Sequence, residues 1–542
     1  MGEVAKLGDI RALCAVLGQQ GGNAVAEKRV DLAYDAASRW DTLTRYADLA
    51  GMDLVAESSW IYDNASRLTD LAHTKGANTL AGYSWTYDSS GGVTQFDSVT
   101  DGTVDYTYDD ANQLTGADYD YQTDESYSYD ANGNRTNIGY STGDDNRLLS
   151  DGTYTYLYDA EGNRTARFVD VNTNGVLDTG DTDITEYTWD YRNRLTNVTE
   201  RATYSGAAAK ATDLAYDYLN RLVSESADAD GAGEGEADDT YYVYEGSQIA
   251  LQFNGSESSD LSHRYLWGTA VDQVLADEQV TSLETAGDIL WPLTDNLGTV
   301  RDLATYDSQQ DETTIANHRT YDAYGQVTSE TNSAIDHLFA FTGRHYDEST
   351  ALQNNLNRWY DPQTGRWLSQ DPVGIAGGVN LYAYVFNSAT NHTDPSGLFV
   401  WPWDPNAQWW FGLPNPFAPN PNLLKQIAIG LQQDYQMPPP VMKVPYYKPM
   451  PKMPWEYEPT TTIKPINPWI ENPIDQALWQ SKMEYAYKQP TKLDPLPPGA
   501  YGVSKQIDKT YTPGPPPTVV VPTYGPPPYN VTPPNCPGGG VY

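Results

Sequence analysis

The stretch YLYDAEGNRTA, Tyr156 to Ala166, is one copy of a phrase that returns along the first half of the chain. Each copy has a Tyr-Asp or Trp-Asp pair, preceded by alternating aromatic and polar residues and followed by a short polar run. The pairs begin at positions 34, 62, 87, 108, 129, 158, 189 and 216, an average spacing of about 26 residues, which indicates a fold built from repeats. The other copies are LAYDAASRW at Leu32, WIYDNASRLTD at Trp60, YTYDDANQLTG at Tyr106, YSYDANGNRTN at Tyr127, YTWDYRNRLTN at Tyr187, LAYDYLNRLVS at Leu214 and a weaker one, WTYDSSGGVTQ, at Trp85.

Each copy predicts a β-hairpin. Alternation of aromatic and polar residues is typical of a half-buried strand, and Asp followed by Asn or Gly is typical of a turn. In YTYLYD, Tyr154, Tyr156 and Tyr158 fall on one face of the strand, and a single hairpin cannot bury that face. Stacked hairpins would bury the aromatic rings together, so we interpret these tyrosines as structural, with ligand binding by stacked rings as the alternative.

This ordered series resembles the YD-repeat, or Rhs (rearrangement hotspot), family over about residues 30–398. The resemblance implies an all-β fold in which a spiralling strip of β-hairpin repeats forms a hollow shell, closed by an Rhs repeat-associated core, as in bacterial toxin shells and animal teneurins. The motifs similar to that core are RYLWGTAVDQVLADE (Arg264–Glu278), DNLGTVRDL (Asp295–Leu303), YDAYGQV (Tyr321–Val327), FTGRHYDESTALQ (Phe341–Gln353), RWYDPQTGRWLSQDPVGIAGGVNLYAYVFN (Arg358–Asn387) and DPSGL (Asp394–Leu398).

Composition changes sharply after the last of these motifs. Of 36 prolines, 32 lie in residues 400–542, which favours irregular or polyproline structure there. We therefore predict an N-terminal lead-in over 1–29, a YD-repeat β-shell over 30–260, the Rhs core over 261–398 and a proline-rich, largely irregular variable tail over 399–542.

The two parts also differ in charge. The first 399 residues carry 23 Lys and Arg against 64 Asp and Glu, and the remainder carries 10 Lys, no Arg and 9 acidic residues. So acidic a body repels phosphate backbones, which excludes nucleic acid as a partner. The acidity itself indicates a solvated surface or, as the alternative, binding of divalent cations.

No stretch of 18 apolar residues occurs, so the sequence predicts no membrane span. The opening residues show no export signal, and we expect the chain to be the C-terminal part of a longer protein that is extracellular or at the cell surface.

The tail lacks several of the residues on which common catalytic sites depend. All six histidines precede it, and it contains no Arg and a single Cys, which excludes His-based nucleases, His-dependent hydrolases and zinc deaminases. We interpret it as a cargo or anchoring segment.

In bacterial Rhs toxins the DPxGL motif ends the common body, and some members cut themselves after its Leu with core aspartates. The resemblance thus implies cleavage between Leu398 and Phe399 by Asp371 and Asp394, supported by Arg358. These acids would act once per molecule, so the protein is not expected to be a turnover enzyme. The alternative is that Asp-Pro-x-Gly only forms a β-turn. One departure from the family is that Gln353, Asn354 and Asn355 replace aromatic residues of its Tyr- and Arg-rich run.

The insertion DVNTNGVLDTGD, Asp170 to Asp181, resembles the twelve-residue calcium loop of EF-hand and dockerin families. It has Gly175 at the sixth position and Leu177 as an apolar anchor, and its flanks are typical of strands. Oxygen ligands at such spacing suit Ca²⁺ at modest affinity; the alternative is a polar turn. The predicted ligands are Asp170, Asn172, Asn174, the Val176 carbonyl, Asp178 and Asp181.

These observations leave three hypotheses for function. The shell encloses or displays its own C-terminal tail, with single-turnover cleavage after Leu398; or it is a teneurin-like adhesion protein with a protein or glycan ligand; or it is the delivery shell of a polymorphic toxin with an atypical effector tail.

Overall fold

The computed structural model describes residues 23–398 and the short strand segments 11–16, 19–20, 401–402, 409–410 and 413–414. About half of the predicted lead-in and nearly all of the predicted tail therefore lie outside the described residues. The division at residue 261, which falls at the start of a strand, stays a prediction.

The first sheet has ten antiparallel strands, β1 and β4 to β12, and each strand pairs with the next in that order. Strands β2 and β3 form a separate two-stranded pair. The twelve described strands in this part are β1 Arg11–Val16, β2 Gln19–Gln20, β3 Asn23–Ala24, β4 Lys28–Tyr34, β5 Trp40–Tyr46, β6 Leu54–Tyr62, β7 Leu68–Lys75, β8 Asn78–Tyr87, β9 Val93–Ser98, β10 Gly102–Tyr108, β11 Leu114–Tyr119 and β12 Glu125–Ser126.

The second sheet has sixteen antiparallel strands that also pair in sequence order. They are β13 Tyr140–Thr142, β14 Leu148–Asp151, β15 Thr155–Tyr158, β16 Arg164–Val169, β17 Thr182–Trp189, β18 Leu195–Thr203, β19 Ala208–Tyr216, β20 Leu222–Asp228, β21 Asp238–Glu245, β22 Gln248–Phe253, β23 Leu261–Trp267, β24 Val274–Gln279, β25 Asp288–Thr294, β26 Val300–Asp307, β27 Glu312–Tyr321 and β28 Val327–Glu330.

The remaining described strands are short. Four of them, β29 to β32, form one small antiparallel sheet. They are β29 His345–Asp347, β30 Leu352–Asn354, β31 Trp359–Asp361, β32 Arg366–Trp367, β33 His392–Thr393, β34 Trp401–Pro402, β35 Trp409–Trp410 and β36 Leu413–Pro414.

The all-β prediction is confirmed. Helical structure in the described part of the chain is limited to five 3₁₀ turns, and no helix there is both long and apolar enough to cross a membrane. The turns are Asp144–Asn146, Ser258–Asp260, Phe341–Gly343, Gly374–Ala376 and Val385–Asn387.

The Asp of each Tyr-Asp pair builds the hairpin turn. In one repeat, Oδ1 of Asp63 accepts the backbone N–H groups of Ala65 at 2.8 Å and Arg67 at 2.9 Å, and Ser66 adopts a left-handed φ of 65°. Oδ2 of Asp63 accepts Nε–H of Arg67 at 2.7 Å. One side chain thus binds two backbone donors and fixes the residue four positions on.

Adjacent repeats are joined by arginine lying on tyrosine. The guanidinium of a turn arginine covers the ring of the next repeat's tyrosine, a contact that attracts the cation to the ring face. The sequence predicted packed tyrosines and did not predict that an arginine covers the tyrosine ring at these positions. The guanidinium carbon lies 4.3 Å from the ring centre for Arg39 and Tyr62, 4.8 Å for Arg67 and Tyr87, and 5.0 Å for Arg194 with Tyr216 and Arg221 with Tyr244.

The strip of hairpins curves until its late strands lie against its early ones. Among the described strands, none of the first sheet pairs with β24 to β28, and side chains make the contact instead. Lys28 Nζ bonds Glu278 Oε2 at 2.5 Å, and His318 Nε2 lies 2.7 Å from Asp101 Oδ1. An apolar cluster shared by both sides includes Val30, Leu32, Leu43, Val55, Leu275, Trp291 and Leu293.

Residues 331–398, here called the closing segment, pack against both sheets. Tyr360, Trp367 and Tyr384 join the apolar cluster of the first sheet, and Phe339, Trp359 and Leu368 join that of the second. The backbone N–H of Arg164 in β16 also donates to the Leu368 carbonyl at 2.9 Å. The closing segment therefore completes the core of the repeat shell.

Candidate functional site

The three residues predicted to support self-cleavage lie in separate turns of the closing segment. Arg358 directly precedes β31, Asp371 lies beyond the end of β32, and Asp394 directly follows β33. The fold brings all three together although 36 residues separate the first from the last.

One nitrogen atom joins the two carboxylates. Nη2 of Arg358 lies 3.2 Å from Oδ2 of Asp371 and 3.2 Å from Oδ2 of Asp394, so the two oxygens are at most twice that distance apart. The side chains of the three residues are 3, 7 and 2% exposed, in the order just given. The guanidinium also lies 4.1 Å from the ring centre of Trp367, which shields it from water.

The second carboxylate oxygen of each acid makes a turn. Oδ1 of Asp371 accepts N–H of Val373 at 2.8 Å, and Oδ1 of Asp394 accepts N–H of Leu398 at 3.1 Å. The turn interpretation and the self-cleavage interpretation are therefore compatible, because each carboxylate uses one oxygen for the turn and the other for Arg358.

The site places one buried guanidinium between two carboxylates. Burial lowers the pKa of Arg358, while the carboxylates of Asp394 and Asp371 act in the opposite direction. Hydrolysis by an aspartic-protease pair needs one carboxylate to accept a proton from water and the other to hold a proton that it can donate.

Leu398 lies at this site. Together with Trp367, Phe386 and both aspartates, it lines a small pocket beside the Arg358 guanidinium. Its partner in the predicted scissile bond, Phe399, lies outside the described residues.

Residues 353–355, which depart from the family pattern, reach this site, and nothing in the sequence predicted that they would. Gln353, Asn354 and Asn355 are all buried, and Nδ2 of Asn355 donates to the backbone carbonyl of Asp394 at 2.7 Å. Asn357 donates to the Ser396 carbonyl through its backbone N–H at 3.3 Å and its side chain at 3.0 Å. The residues in each of these contacts are 39 positions apart in the sequence, so no local spacing predicts that they meet.

The predicted calcium loop connects β16 to β17. Oδ2 of Asp170 accepts N–H of Gly175 at 2.7 Å, Gly175 has a φ of 75°, and Leu177 packs against the cluster of Ala166, Phe168 and Ile184. The sharp turn and the inward anchor thus lie where the motif places them.

Contacts within the loop bring most of its predicted ligands together. Asp178 accepts the side-chain amides of Asn172 at 3.0 Å and Asn174 at 2.7 Å, and Oδ2 of Asp181 accepts the N–H of Asp178 at 2.8 Å. Val176 is exposed. Within the described residues no group of three or more His, Cys, Asp or Glu side chains is arranged to hold a metal ion, so a cation here would depend on amide and carbonyl oxygens as well.

The fold defines this protein as a repeat-built β-shell with a C-terminal closing segment. The chain belongs to the teneurin YD-shell family, whose model matches residues 48–387.

Over 79 residues the chain is 42% identical to the putative uncharacterized protein YibJ of Escherichia coli (strain K12), a match covering 14% of this chain and 34% of that protein. Over 309 residues it is 26% identical to the tRNA nuclease WapA of Bacillus subtilis (strain 168), covering 55% of this chain and 10% of that protein. The chain thus spans about a third of one relative and a tenth of the other. The crystal structure of TcdB2-TccC3 without its hypervariable C-terminal region aligns with 71% of this chain and 21% of that chain, at 17% identity and a TM-score of 0.44.

Proposed function

We propose that this chain is an extracellular or cell-surface shell that encloses or displays its own C-terminal tail, residues 399–542, as cargo. The observation that carries the proposal is the position of Leu398. The last residue before the tail is held in a turn of the closing segment, beside the mostly buried Trp367 and Asp394. The tail therefore begins at a site built by the closing segment, which packs against both sheets. The similarity to a protein named as a tRNA nuclease supports a delivery role, with a tail that is not a His-based nuclease.

Limited proteolysis of the intact protein tests this proposal. If the shell encloses the tail, fragments of residues 399–542 persist under protease until a denaturant opens the β-sheets, whereas the same segment expressed alone is degraded at once. Degradation of the tail at equal rates in both samples would show that the shell does not enclose it.

We further propose that the shell cuts its own chain once, after Leu398. A water molecule adds its oxygen to the Leu398 carbonyl carbon while one aspartate takes its proton. The bond to the Phe399 nitrogen then breaks as the other aspartate, in its protonated form, donates a proton to that nitrogen. One water is consumed, and the products are a carboxyl group on Leu398 and an amine on Phe399. Arg358 holds both acids in place and balances their charge.

Mass spectrometry of the purified chain tests the cleavage. We expect a fragment that begins at Phe399 in the parent and an intact chain in Asp371→Asn and Asp394→Asn, since Asn retains the turn oxygen but accepts no proton from water. A parent that stays intact, or variants that are cut like the parent, would leave the two aspartates with their turn role alone.

We also propose that the loop from Asp170 to Asp181 binds Ca²⁺. Support comes from the Asp170 to Gly175 contact, which gives the loop a sharp turn, and from the Leu177 side chain, which packs inward. Calorimetric titration of Ca²⁺ into chelator-treated protein is expected to give heat that Asp170→Ala abolishes. Absence of heat in the parent, or equal heat in the variant, would place no calcium in this loop.

A further inference from the structure

A line of buried amides connects strand β30 to the turn that holds Leu398. Nε2 of Gln353 donates to Oδ1 of Asn355 at 2.9 Å, and Nδ2 of Asn355 donates to the backbone carbonyl of Asp394 at 2.7 Å. Both amide side chains are fully buried, at 0% exposure. Each therefore orients its neighbour without competition from water.

The contact is one of three side-chain hydrogen bonds that hold backbone carbonyls of the turn. Asn355 binds the carbonyl of Asp394, Asn357 binds that of Ser396, and Nε of Arg358 donates to that of Gly397. The segment 355–358 thus positions the backbone of the turn from its first residue to the one before Leu398. The orientation of the Asp394 carboxylate follows from the position of its backbone.

Packing alone does not account for these amides. Oε1 of Gln353 and Nδ2 of the adjacent Asn354 are buried and have no hydrogen-bond partner. A buried polar atom without a hydrogen-bond partner lowers stability, and an apolar side chain of similar size would avoid that loss. The amides therefore contribute orientation at the expense of stability.

We propose that Asn355 is a positioning residue for cleavage after Leu398, and that Gln353 supports it by fixing the orientation of its amide. This inference rests on the proposed self-cleavage and adds residues to it. Asn355 holds the Asp394 backbone so that Oδ2 faces Arg358 and Oδ1 remains on the N–H of Leu398. Without the amide, the carboxylate loses its alignment with both the guanidinium and the bond to be cut.

Pulse-labelled full-length chain from cell-free synthesis allows the cleavage to be timed at several pH values. Asn355→Leu keeps the volume of the side chain and removes its donor, and we expect cleavage to slow by at least about tenfold. The pH profile of the rate should also change, because a displaced Asp394 loses part of its contact with the Arg358 guanidinium. Gln353→Met should slow cleavage less and add little to Asn355→Leu, since both act through one contact.

Asn317→Leu is the matched control. Asn317 is also fully buried, at 0% exposure, but its amide binds Glu330 in the second sheet. We expect that variant to lose stability and to cleave at the parent rate with an unchanged pH profile. Cleavage of Asn355→Leu at the parent rate, or the same slowing in Asn317→Leu, overturns the positioning role while self-cleavage stands. If the parent and Asp394→Asn both remain uncut, self-cleavage and the positioning role fall together.

Discussion

Nη1 of Arg164, at the start of β16, lies 2.6 Å from Oδ2 of Asp361, at the end of β31. The side chains are 1% and 5% exposed, and the Arg164 guanidinium also lies 4.6 Å from the ring centre of Tyr156. The pair joins a repeat hairpin to the closing segment across 197 residues of sequence. It is therefore a direct electrostatic link between the shell and the part of the chain that carries the candidate site.

Removal of Arg164 should destabilise the protein strongly. In Arg164→Met the carboxylate of Asp361 stays buried without its cation, and breaking a buried pair in this way costs about 3–5 kcal/mol. Urea unfolding followed by tryptophan fluorescence measures the loss. Arg201→Met serves as the control, because its pair with Glu186 is 31% and 44% exposed and should contribute less than about 1 kcal/mol. Equal losses in the two variants would contradict the assignment.

The stability lost on replacing a turn aspartate should depend on how many of its contacts the new side chain keeps. Oδ1 of Asp217 accepts the N–H groups of Leu219 at 2.8 Å and Arg221 at 3.0 Å, and Oδ2 accepts Nε–H of Arg221 at 2.7 Å. Asp217→Ala loses all three contacts and should cost about 1–3 kcal/mol, whereas Asp217→Asn keeps an oxygen for the two backbone donors and should cost less. Asp41→Ala, at an exposed strand position, should change the unfolding midpoint little.

A local pattern such as this one is what a sequence can predict. Asp63 and Arg67 are four residues apart, and both bonds of that turn form within one hairpin, so spacing and residue type suffice. The position of Arg67 on Tyr87 is different, because it depends on how far one hairpin is offset from the next. That offset is set by strand register, so the interpretation of the tyrosines as structural did not include the arginines between them.

The candidate site also has a part that the sequence predicts and a part that only the packing determines. The aspartates of DPVG and DPSGL were found through their motifs, and each motif does form a turn around its own Asp. The bridge through Arg358 and the support from Asn355 depend on three turns meeting in space. The three turns meet because the closing segment packs on both sheets. Spacing within the sequence does not predict that packing.

A buried pair of acids should make stability depend on pH. Glu225 on β20 faces Asp347 at the end of β29, with Tyr242 and His345 close by, and burial together with Asp347 raises the pKa of Glu225 to about 8. The unfolded chain releases this proton near pH 4.5 and the folded chain holds it to about pH 8. The contribution of Glu225 to stability is therefore fully present below about pH 4.5 and is lost as the pH rises to about 8.

Glu225→Gln should remove that dependence, since the amide does not ionise. We expect the variant to match the parent near pH 4.5 and to exceed it in unfolding free energy near pH 8. Urea midpoints across this range provide the measurement. Glu312→Gln, at the exposed start of β27, should leave the pH dependence as in the parent. A constant difference between Glu225→Gln and the parent at every pH would show that Glu225 does not titrate in this range.

Replacement of Arg358, the cation between the two aspartates, should lower stability more at neutral pH than at acid pH. In Arg358→Met the carboxylates of Asp371 and Asp394 remain near each other without the guanidinium that now contacts both. Their repulsion and the cost of burying charge should lower stability by several kcal/mol at neutral pH, on the order of the cost of breaking a buried ion pair. Uptake of a proton relieves the repulsion, so the deficit should shrink as the pH falls.

Asp371→Asn added to Arg358→Met removes one of the two charges and should restore part of the stability at neutral pH. Thermal unfolding of the parent, the single variant and the double variant at neutral and acid pH measures both effects, and a double variant less stable than Arg358→Met at neutral pH would show that repulsion is not what the arginine offsets.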